Sequence, residues 1–118
     1  MAEYDKMSKN RILYDKREDI LSVHSGFSKD ERFKTNIDAG NIILDVSTRK
    51  RVRGIEILDA SSFLKEFGIT GEILSEMTDA EFSAQVKPEG IAIGLVIKSK
   101  YNQEGIPAKI LAVRAQAY

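Results

Sequence analysis

The chain's only histidine is its first candidate for catalytic chemistry. His24 is of the residue type that most often acts as a general base, and Ser22 and Ser25 lie beside it. With Asp19 or Asp45 it would complete a Ser–His–Asp triad. A triad also needs a nucleophile on a strained turn, and the Gly-x-Ser-x-Gly elbow that supplies one is missing from the sequence. We therefore predict no catalytic residue and no enzyme.

Carboxylates form a second group that could carry chemistry, as a metal site. Glu72 and Glu76 are four residues apart, so on a helix they share a face and repel slightly. With Asp79 and Glu81 they offer the oxygen ligands that Mg²⁺ and Ca²⁺ favour, but no Asp-x-Asp-x-Asp-Gly loop accompanies them. One histidine and no cysteine exclude multi-histidine and thiolate metal sites. The prediction is a solvated acidic helix edge, with no metal and no cofactor.

Basic side chains concentrate between two predicted strands, at Arg49, Lys50, Arg51 and Arg53. Such a hairpin tip can contact phosphate groups, and it also keeps a turn hydrated and protects sheet edges from pairing. The chain has 18 basic and 18 acidic residues, which gives a net charge of zero. Dedicated nucleic-acid binders usually carry a basic excess with aromatic residues interleaved, and this sequence shows neither. Nucleic-acid binding through these four residues is therefore the alternative hypothesis.

The elements that must position these side chains are predicted from periodicity to form an α+β fold. About seven or eight strands are expected, in antiparallel β-meanders, with one or two short helices in the middle of the chain packed on the sheet. Asp59 is predicted to cap the first helix, Gly68 to end it, and Thr70 to cap the second. Gly54 indicates a bulge or a close backbone approach. The predicted strands are 11–14, 20–23, 33–37, 42–46, 52–58, 81–87, 91–97 and 106–115, and the second helix is 71–77.

A single domain is expected for the 118 residues. We predict a loose N-terminal arm over 1–10, a β-meander plus helix over 11–68, and a helical turn with a three-strand meander over 69–118. Apolar residues make up 42% and charged residues 31%, which is typical of a globular protein. The polar N-terminus lacks the apolar core of a signal peptide, and the longest apolar run is too short to cross a bilayer. We therefore expect a cytoplasmic protein without membrane contact.

The strand predicted at 91–97 is apolar on both faces, which indicates that both are covered. Its odd-numbered residues are large and aliphatic, whereas Ala92, Gly94 and Val96 form a small apolar face on the other side. An antiparallel sheet commonly turns a polar face to water, so this second face needs a cover from the N-terminal sheet or from another subunit. We predict a symmetric homodimer through Ala92, Gly94 and Val96, in which Val96→Asp yields a monomer.

A sequence pattern in the first half of the chain points to a family. It comprises Tyr14-Asp15, Asp19-Ile20-Leu21, the run Gly-Asn-Ile-Ile-Leu-Asp-Val at 40–46, and the run Gly-Ile-Glu-Ile-Leu-Asp-Ala-Ser at 54–61. Over about residues 11 to 68 this pattern resembles the domain of unknown function 2283 family of small prokaryotic proteins.

The resemblance implies no reaction and no catalytic residue, because that family is uncharacterised. Short members often occur beside small toxin-like proteins, which implies an antitoxin-like role with a small protein partner. The overall prediction is a non-catalytic protein-interaction or self-associating module.

Overall fold

The computed structural model describes residues 10–112, and within that range the chain forms two antiparallel sheets joined by short helices. This confirms the predicted antiparallel sheets with short helices in the middle of the chain, although helices of only four and five residues make the fold mostly β rather than α+β. The arm predicted at 1–10 lies outside the described residues apart from Asn10, as do positions 113–115 of the last predicted strand.

The N-terminal sheet, the helical segment and the C-terminal sheet are formed by three consecutive parts of the chain. The N-terminal sheet contains β1 (Arg11–Asp15), β2 (Ile20–His24), β3 (Phe33–Ala39), β4 (Ile42–Ser47) and β5 (Val52–Leu58). The helical segment contains α1 (Ala60–Phe63), a 3-10 turn (Lys65–Phe67) and α2 (Gly71–Ser75). The C-terminal sheet contains β6 (Met77–Lys87), β7 (Gly90–Ser99) and β8 (Ile106–Ala112).

The predicted meander describes only part of the N-terminal sheet. Its strand order is β1-β2-β5-β4-β3, so β3, β4 and β5 form a meander, whereas β2 pairs with β5 rather than with β3. The connection between β2 and β3 therefore crosses to the opposite edge of the sheet. Burial explains the order: β3 is exposed over most of its length and suits an edge, whereas Leu21 and Val23 of β2 are buried beside β5.

The C-terminal sheet is the predicted three-strand meander, with β7 in the centre. The large aliphatic residues of β7 alternate with small ones, and the large ones are buried on the inner face. Residues 77–80 pair with the end of β7. Strand β6 therefore begins at Met77, and the second helix does not extend to Met77 as predicted. Pro107 lies near the start of the edge strand β8, where its missing amide hydrogen is tolerated.

One hydrophobic core contains side chains from both sheets and from the helical segment between them. Leu64, Ile69 and Leu74 of that segment are fully buried, which explains why these very short helices are held in place. No helix within residues 10–112 is long and apolar enough to span a membrane.

Candidate functional site

The outer face of the C-terminal sheet carries a shallow trough along β7, which we call the β7 trough. Its floor is formed by the small residues Ala92, Gly94 and Val96, all of which are partly exposed. Strand β6 forms one wall and strand β8 the other, and two adjoining depressions together run along this face. The three rows across the sheet are Gln85–Ala92–Leu111, Ser83–Gly94–Lys109 and Glu81–Val96–Pro107.

The two ends of the β7 trough differ. At one end the β7–β8 loop covers Val96, since a Cβ atom on Gly105 would lie 2.6 Å from Val96 Cγ1. At the other end Leu111 stands beside Ala92 with 62% of its surface exposed. Leu111 is not among the residues predicted for this face, although the alternation of β8 places it on the same outer face as Lys109. The trough is therefore open where an apolar side chain projects.

Charged side chains border this apolar surface. Glu81 on β6 lies 3.9 Å from Lys98 on β7, and both side chains are more than one-third exposed. Lys109 on β8 is exposed at the opposite wall, beside Gly94. One wall thus carries an acidic group and the other a basic group, with small apolar residues between them.

The basic hairpin between β4 and β5 does not present four free cations. Arg51 donates from Nε and Nη2 to the two carboxylate oxygens of Glu31, at 2.9 and 2.7 Å. Arg53 Nε donates to the carbonyl oxygen of Gly26 at 2.8 Å and lies 3.7 Å from Glu31 Oε1. Arg49 and Lys50 are exposed at the tip. The predicted nucleic-acid cluster is thus divided: two arginines have partners within the fold, and two basic residues face outward.

Glu31 is the residue that organises this hairpin, and nothing in the local sequence marks it. It is only 4% exposed, and besides Arg51 its carboxylate accepts hydrogen bonds from the Ser47 hydroxyl and from the Ser28 amide. The hydrogen bonds from Arg51, Ser47 and Ser28 outweigh burial and hold the pKa of Glu31 well below its ordinary value of 4.5. This ion pair anchors the crossing connection between β2 and β3 to the hairpin.

Replacing Glu31 with glutamine is expected to make stability less sensitive to acid. Because the folded-state pKa of Glu31 is lowered, its contribution is complete above about pH 4.5 and is lost as pH falls towards the folded-state pKa. Below about pH 4.5, unfolding of Glu31→Gln should therefore take up about one proton fewer than unfolding of the wild type. Urea unfolding at a series of pH values measures this, with exposed Glu66→Gln as the control. Equal pH slopes for Glu31→Gln and the wild type would contradict the assignment.

Three residues of the family-like pattern, Tyr14, Asp19 and Ser61, meet at the start of α1. Tyr14 donates from its hydroxyl to Asp19 Oδ1 at 2.6 Å. Ser61 donates from its amide to Oδ1 at 3.0 Å and from its hydroxyl to Oδ2 at 2.8 Å. Asp59 occupies the N-cap position but makes no side-chain capping bond, so the prediction that it caps α1 is wrong. The capping carboxylate comes instead from the turn between β1 and β2.

The hydrogen bonds at this site also set the ionisation of its members. Burial, reinforced by the hydrogen bond to the Asp19 carboxylate, raises the pKa of Tyr14 to about 12. Burial opposes ionisation of Asp19, but the hydrogen bonds from Tyr14 and Ser61 outweigh it and lower the Asp19 pKa. Both shifts favour a neutral donor facing an ionised acceptor. The cluster is therefore a helix cap. The predicted cap at Thr70 is confirmed, whereas Gly68 ends the 3-10 turn rather than α1, which ends at Phe63.

His24 and Asp45 meet across Gly54, which lies between them in the middle of the N-terminal sheet. His24 Nε2 is 3.7 Å from Asp45 Oδ2, and His24 Nδ1 accepts a hydrogen bond from the Gly26 amide at 2.8 Å. This pattern fits a neutral imidazole protonated on Nε2. Among the described residues, no serine hydroxyl is hydrogen-bonded to the ring, so the geometry of a nucleophilic triad is not assembled.

Of the two features predicted at Gly54, the structure shows the bulge, and the close neighbours are side chains rather than another backbone. The register shifts next to its partner Asp45, and a Cβ atom at position 54 would clash with His24 Cδ2 and lie 2.8 Å from Asp45 Oδ2. The absent side chain thus makes room for the His24–Asp45 pair.

The carboxylates considered as metal ligands are distributed along α2 and β6. Glu76 lies 3.4 Å from Lys100, and Asp79 accepts a hydrogen bond from the Ala80 amide. Glu81 faces Lys98 on the outer surface of the sheet. In the range 10–112, no group of three or more His, Cys, Asp or Glu side chains has the geometry to hold a metal ion.

Residues 11–61 match the model of a family described as a protein of unknown function, DUF2283. This confirms the suspected resemblance over the N-terminal sheet and the first two residues of α1, a segment that ends at Ser61 and includes Tyr14, Asp19 and Gly54. No curated protein and no solved structure matches the chain. The C-terminal sheet, which carries the β7 trough, lies outside the matched segment.

Proposed function

We propose that this protein is a non-catalytic, self-associating module whose interface is the outer face of the C-terminal sheet. The observation that carries the proposal is the β7 trough, an apolar floor of Ala92, Gly94 and Val96 with exposed Leu111 beside it. Apolar surface in a continuous depression is the kind of surface that protein–protein contacts bury. A second copy of the same chain can occupy the β7 trough without any other molecule being present.

The shape of this face supports association between identical copies. An isologous interface must contain both the projection and the depression that receives it, because the same surface is used twice. Leu111 supplies a projection and the row containing Ala92 supplies a depression, and both lie on one face within one cross-strand pair. The small floor residues also allow a partner's backbone to approach closely. A homodimer through this face is therefore the function that the geometry supports best.

Leu111→Asp is expected to convert the dimer to a monomer, weakening association about tenfold or more because a charge would enter an apolar contact. Leu13→Asp is the matched control, since Leu13 is 63% exposed, like Leu111 at 62%, but lies on β1 of the other sheet. Sedimentation equilibrium measures both. Leu111 is preferable to Val96 for this test, because Val96 also packs against Gly105 within the fold.

Two results would contradict the proposal. The first is a wild-type protein that stays monomeric across the accessible concentration range, since the trough would then be solvated. The second is a folded Leu111→Asp protein that dimerises as tightly as Leu13→Asp. Circular dichroism of both variants establishes that the comparison is made between folded proteins.

Nucleic-acid binding is the alternative function, and fewer basic residues are available for it than the sequence indicated. Of the four basic residues at the hairpin, only Arg49 and Lys50 face outward without using their side chains to hold Glu31 or Gly26. Phosphate contacts from so few cations would give weak binding that falls with salt. Nucleic acid that copurifies at low salt and is released by salt would favour this alternative.

A further inference from the structure

We propose that each copy in the dimer lays its strand β8 into the β7 trough of the other, with Lys109 directed towards Glu81 of the partner copy. This inference rests on the proposed self-association and specifies its arrangement. In this arrangement Glu81 and Lys109 are the residues that select the pairing between the two copies.

Shape identifies β8 as the strand that enters the trough. The outer residues of β6 are Glu81, Ser83 and Gln85, and burying these polar side chains against an apolar floor would leave them without partners. The outer residues of β8 include Pro107 and Leu111, which are apolar. Lys109 between them has a long aliphatic stem that can lie on apolar surface while its ammonium group reaches the rim. Strand β8 is therefore the strand whose outer residues can pack against the floor of the partner's β7 trough.

Symmetry then fixes the register. A twofold axis parallel to the strands and between β7 and β8 exchanges these two strands and keeps every row at its own level. The contact is formed by the rows that contain Ala92 and Gly94, because the β7–β8 loop covers Val96 in the third row. Leu111 of one copy then lies over Ala92 of the other, and Lys109 lies over Gly94, which has no side chain of its own and is bordered by the Ser83 hydroxyl. The longest outer side chain of β8 thus faces the smallest residue of the floor. The Leu111 contact and the Lys109 contact each occur twice in the dimer.

An axis perpendicular to the strands, within the plane of the interface, gives a poorer fit. It places each strand against the same strand of the partner, so the walls meet each other and the two troughs enclose a void. It also brings Lys109 towards Lys109 when the axis passes near Gly94. Voids and like charges both weaken an interface. The axis parallel to the strands avoids both faults.

Charge complementarity favours the same arrangement. With β8 of one copy over β7 of the other, Lys109 comes next to the partner's β6, where Ser83 lies in the same row and Glu81 in the next row. Lys98 of the partner lies one row beyond Glu81, which leaves the carboxylate between two cations from different copies. Glu81 is only 3.9 Å from Lys98 of its own chain and 62% exposed, so its side chain is available to a second cation.

The test uses two opposite charge reversals, made in separate chains and then mixed. Glu81→Lys alone and Lys109→Glu alone should each raise the dimer Kd about tenfold or more, because every homodimer of either variant contains two like-charge contacts. An equimolar mixture should dimerise within about threefold of the wild-type Kd, because both contacts between residues 81 and 109 across the heterodimer interface join opposite charges. In that heterodimer, residues 81 and 109 have like charges within each chain, so rescue cannot arise inside one chain.

Sedimentation equilibrium gives the result, with Glu56→Lys as the control. Glu56 is exposed on the outer face of the N-terminal sheet, so its reversal makes the same charge change far from the interface and should leave the Kd unchanged. If a charge-reversal variant does not fold, it is replaced by the neutral variant, Glu81→Gln or Lys109→Gln. The neutral variants are expected to show smaller increases in Kd.

The outcomes separate the arrangement from the proposed function. A wild-type dimer whose single reversals match Glu56→Lys overturns the arrangement and leaves self-association standing, as does a mixture that gains no affinity over the single variants. A wild-type chain that is monomeric at every concentration overturns both. Rescue on mixing, combined with weakened single variants, supports the exchanged β8 strands.

Discussion

Asp19→Gly is expected to lower the free energy of unfolding by about 2–3 kcal/mol, whereas Asp59→Gly should change it by less than about 0.5 kcal/mol. Both aspartates have positive φ values, 58° and 52°, so glycine relieves the same backbone strain at each position. The difference between the two variants therefore reports the carboxylate contacts alone. Asp19 accepts three hydrogen bonds from Tyr14 and Ser61, and Asp59 makes no capping bond.

Urea unfolding followed by circular dichroism measures both free energies. Asp19→Asn is the conservative variant, since asparagine also tolerates positive φ and keeps one acceptor oxygen, so its loss should be smaller than that of Asp19→Gly. Asp19→Ala should be worst, at about 3–4 kcal/mol, because alanine adds the cost of the left-handed conformation to the lost contacts. Equal losses for Asp19→Gly and Asp59→Gly would show that the distant cap contributes nothing.

Gly54→Ala is expected to lower the free energy of unfolding by about 1–3 kcal/mol, an unusual cost for so small an addition in a strand. The added methyl group would clash with His24 Cδ2 and lie 2.8 Å from Asp45 Oδ2. Asp45 can turn away, but His24 is held by the Gly26 amide and by an edge contact with Phe27, whose ring centroid is 5.0 Å away. Accommodating alanine therefore breaks the contacts that hold the imidazole.

A double-mutant cycle tests this explanation. In a His24→Ala background the clash with the ring is gone, so Gly54→Ala should cost less than about 1 kcal/mol, with a coupling energy of about 1–2 kcal/mol between the two sites. Chemical denaturation of the four proteins gives the cycle. Additive effects would show that the low tolerance of position 54 arises from the backbone or from Asp45, and not from the packing of His24.

These two predictions concern the segment that matches the family, whereas the proposed function concerns the other sheet. Tyr14, Asp19, Gly54 and Ser61 belong to the family-like pattern, and each has a role in holding the N-terminal sheet together. The β7 trough lies outside the matched segment, and the interface proposed for it is therefore a property of this chain's C-terminal sheet. Variants of the first group should reduce stability, and variants of the second group should alter association.

Local pattern alone was enough to predict the strands to within a few residues and the start of each helix. Alternation of apolar residues marks a strand because successive side chains point to opposite faces, and this holds whichever strand lies beside it. The cap at Thr70 was also predicted correctly, since the Ile73 amide that donates to it lies only three residues away. The small outer face of β7 was visible for the same reason, because Ala92, Gly94 and Val96 alternate with buried aliphatic residues.

Only the tertiary structure decided which distant residues meet. The sequence predicted that Asp59 caps α1, but Asp19 does so from 42 residues away, and Arg51 is directed to a glutamate 20 residues before it. The same holds for the pairing of β2 with β5, which places His24, Gly54 and Asp45 in one row. Such contacts depend on how the chain crosses itself, and a short stretch of sequence has the same local pattern whichever crossing occurs. Local periodicity therefore determined the elements, and long-range packing determined their order and the partners of their charged groups.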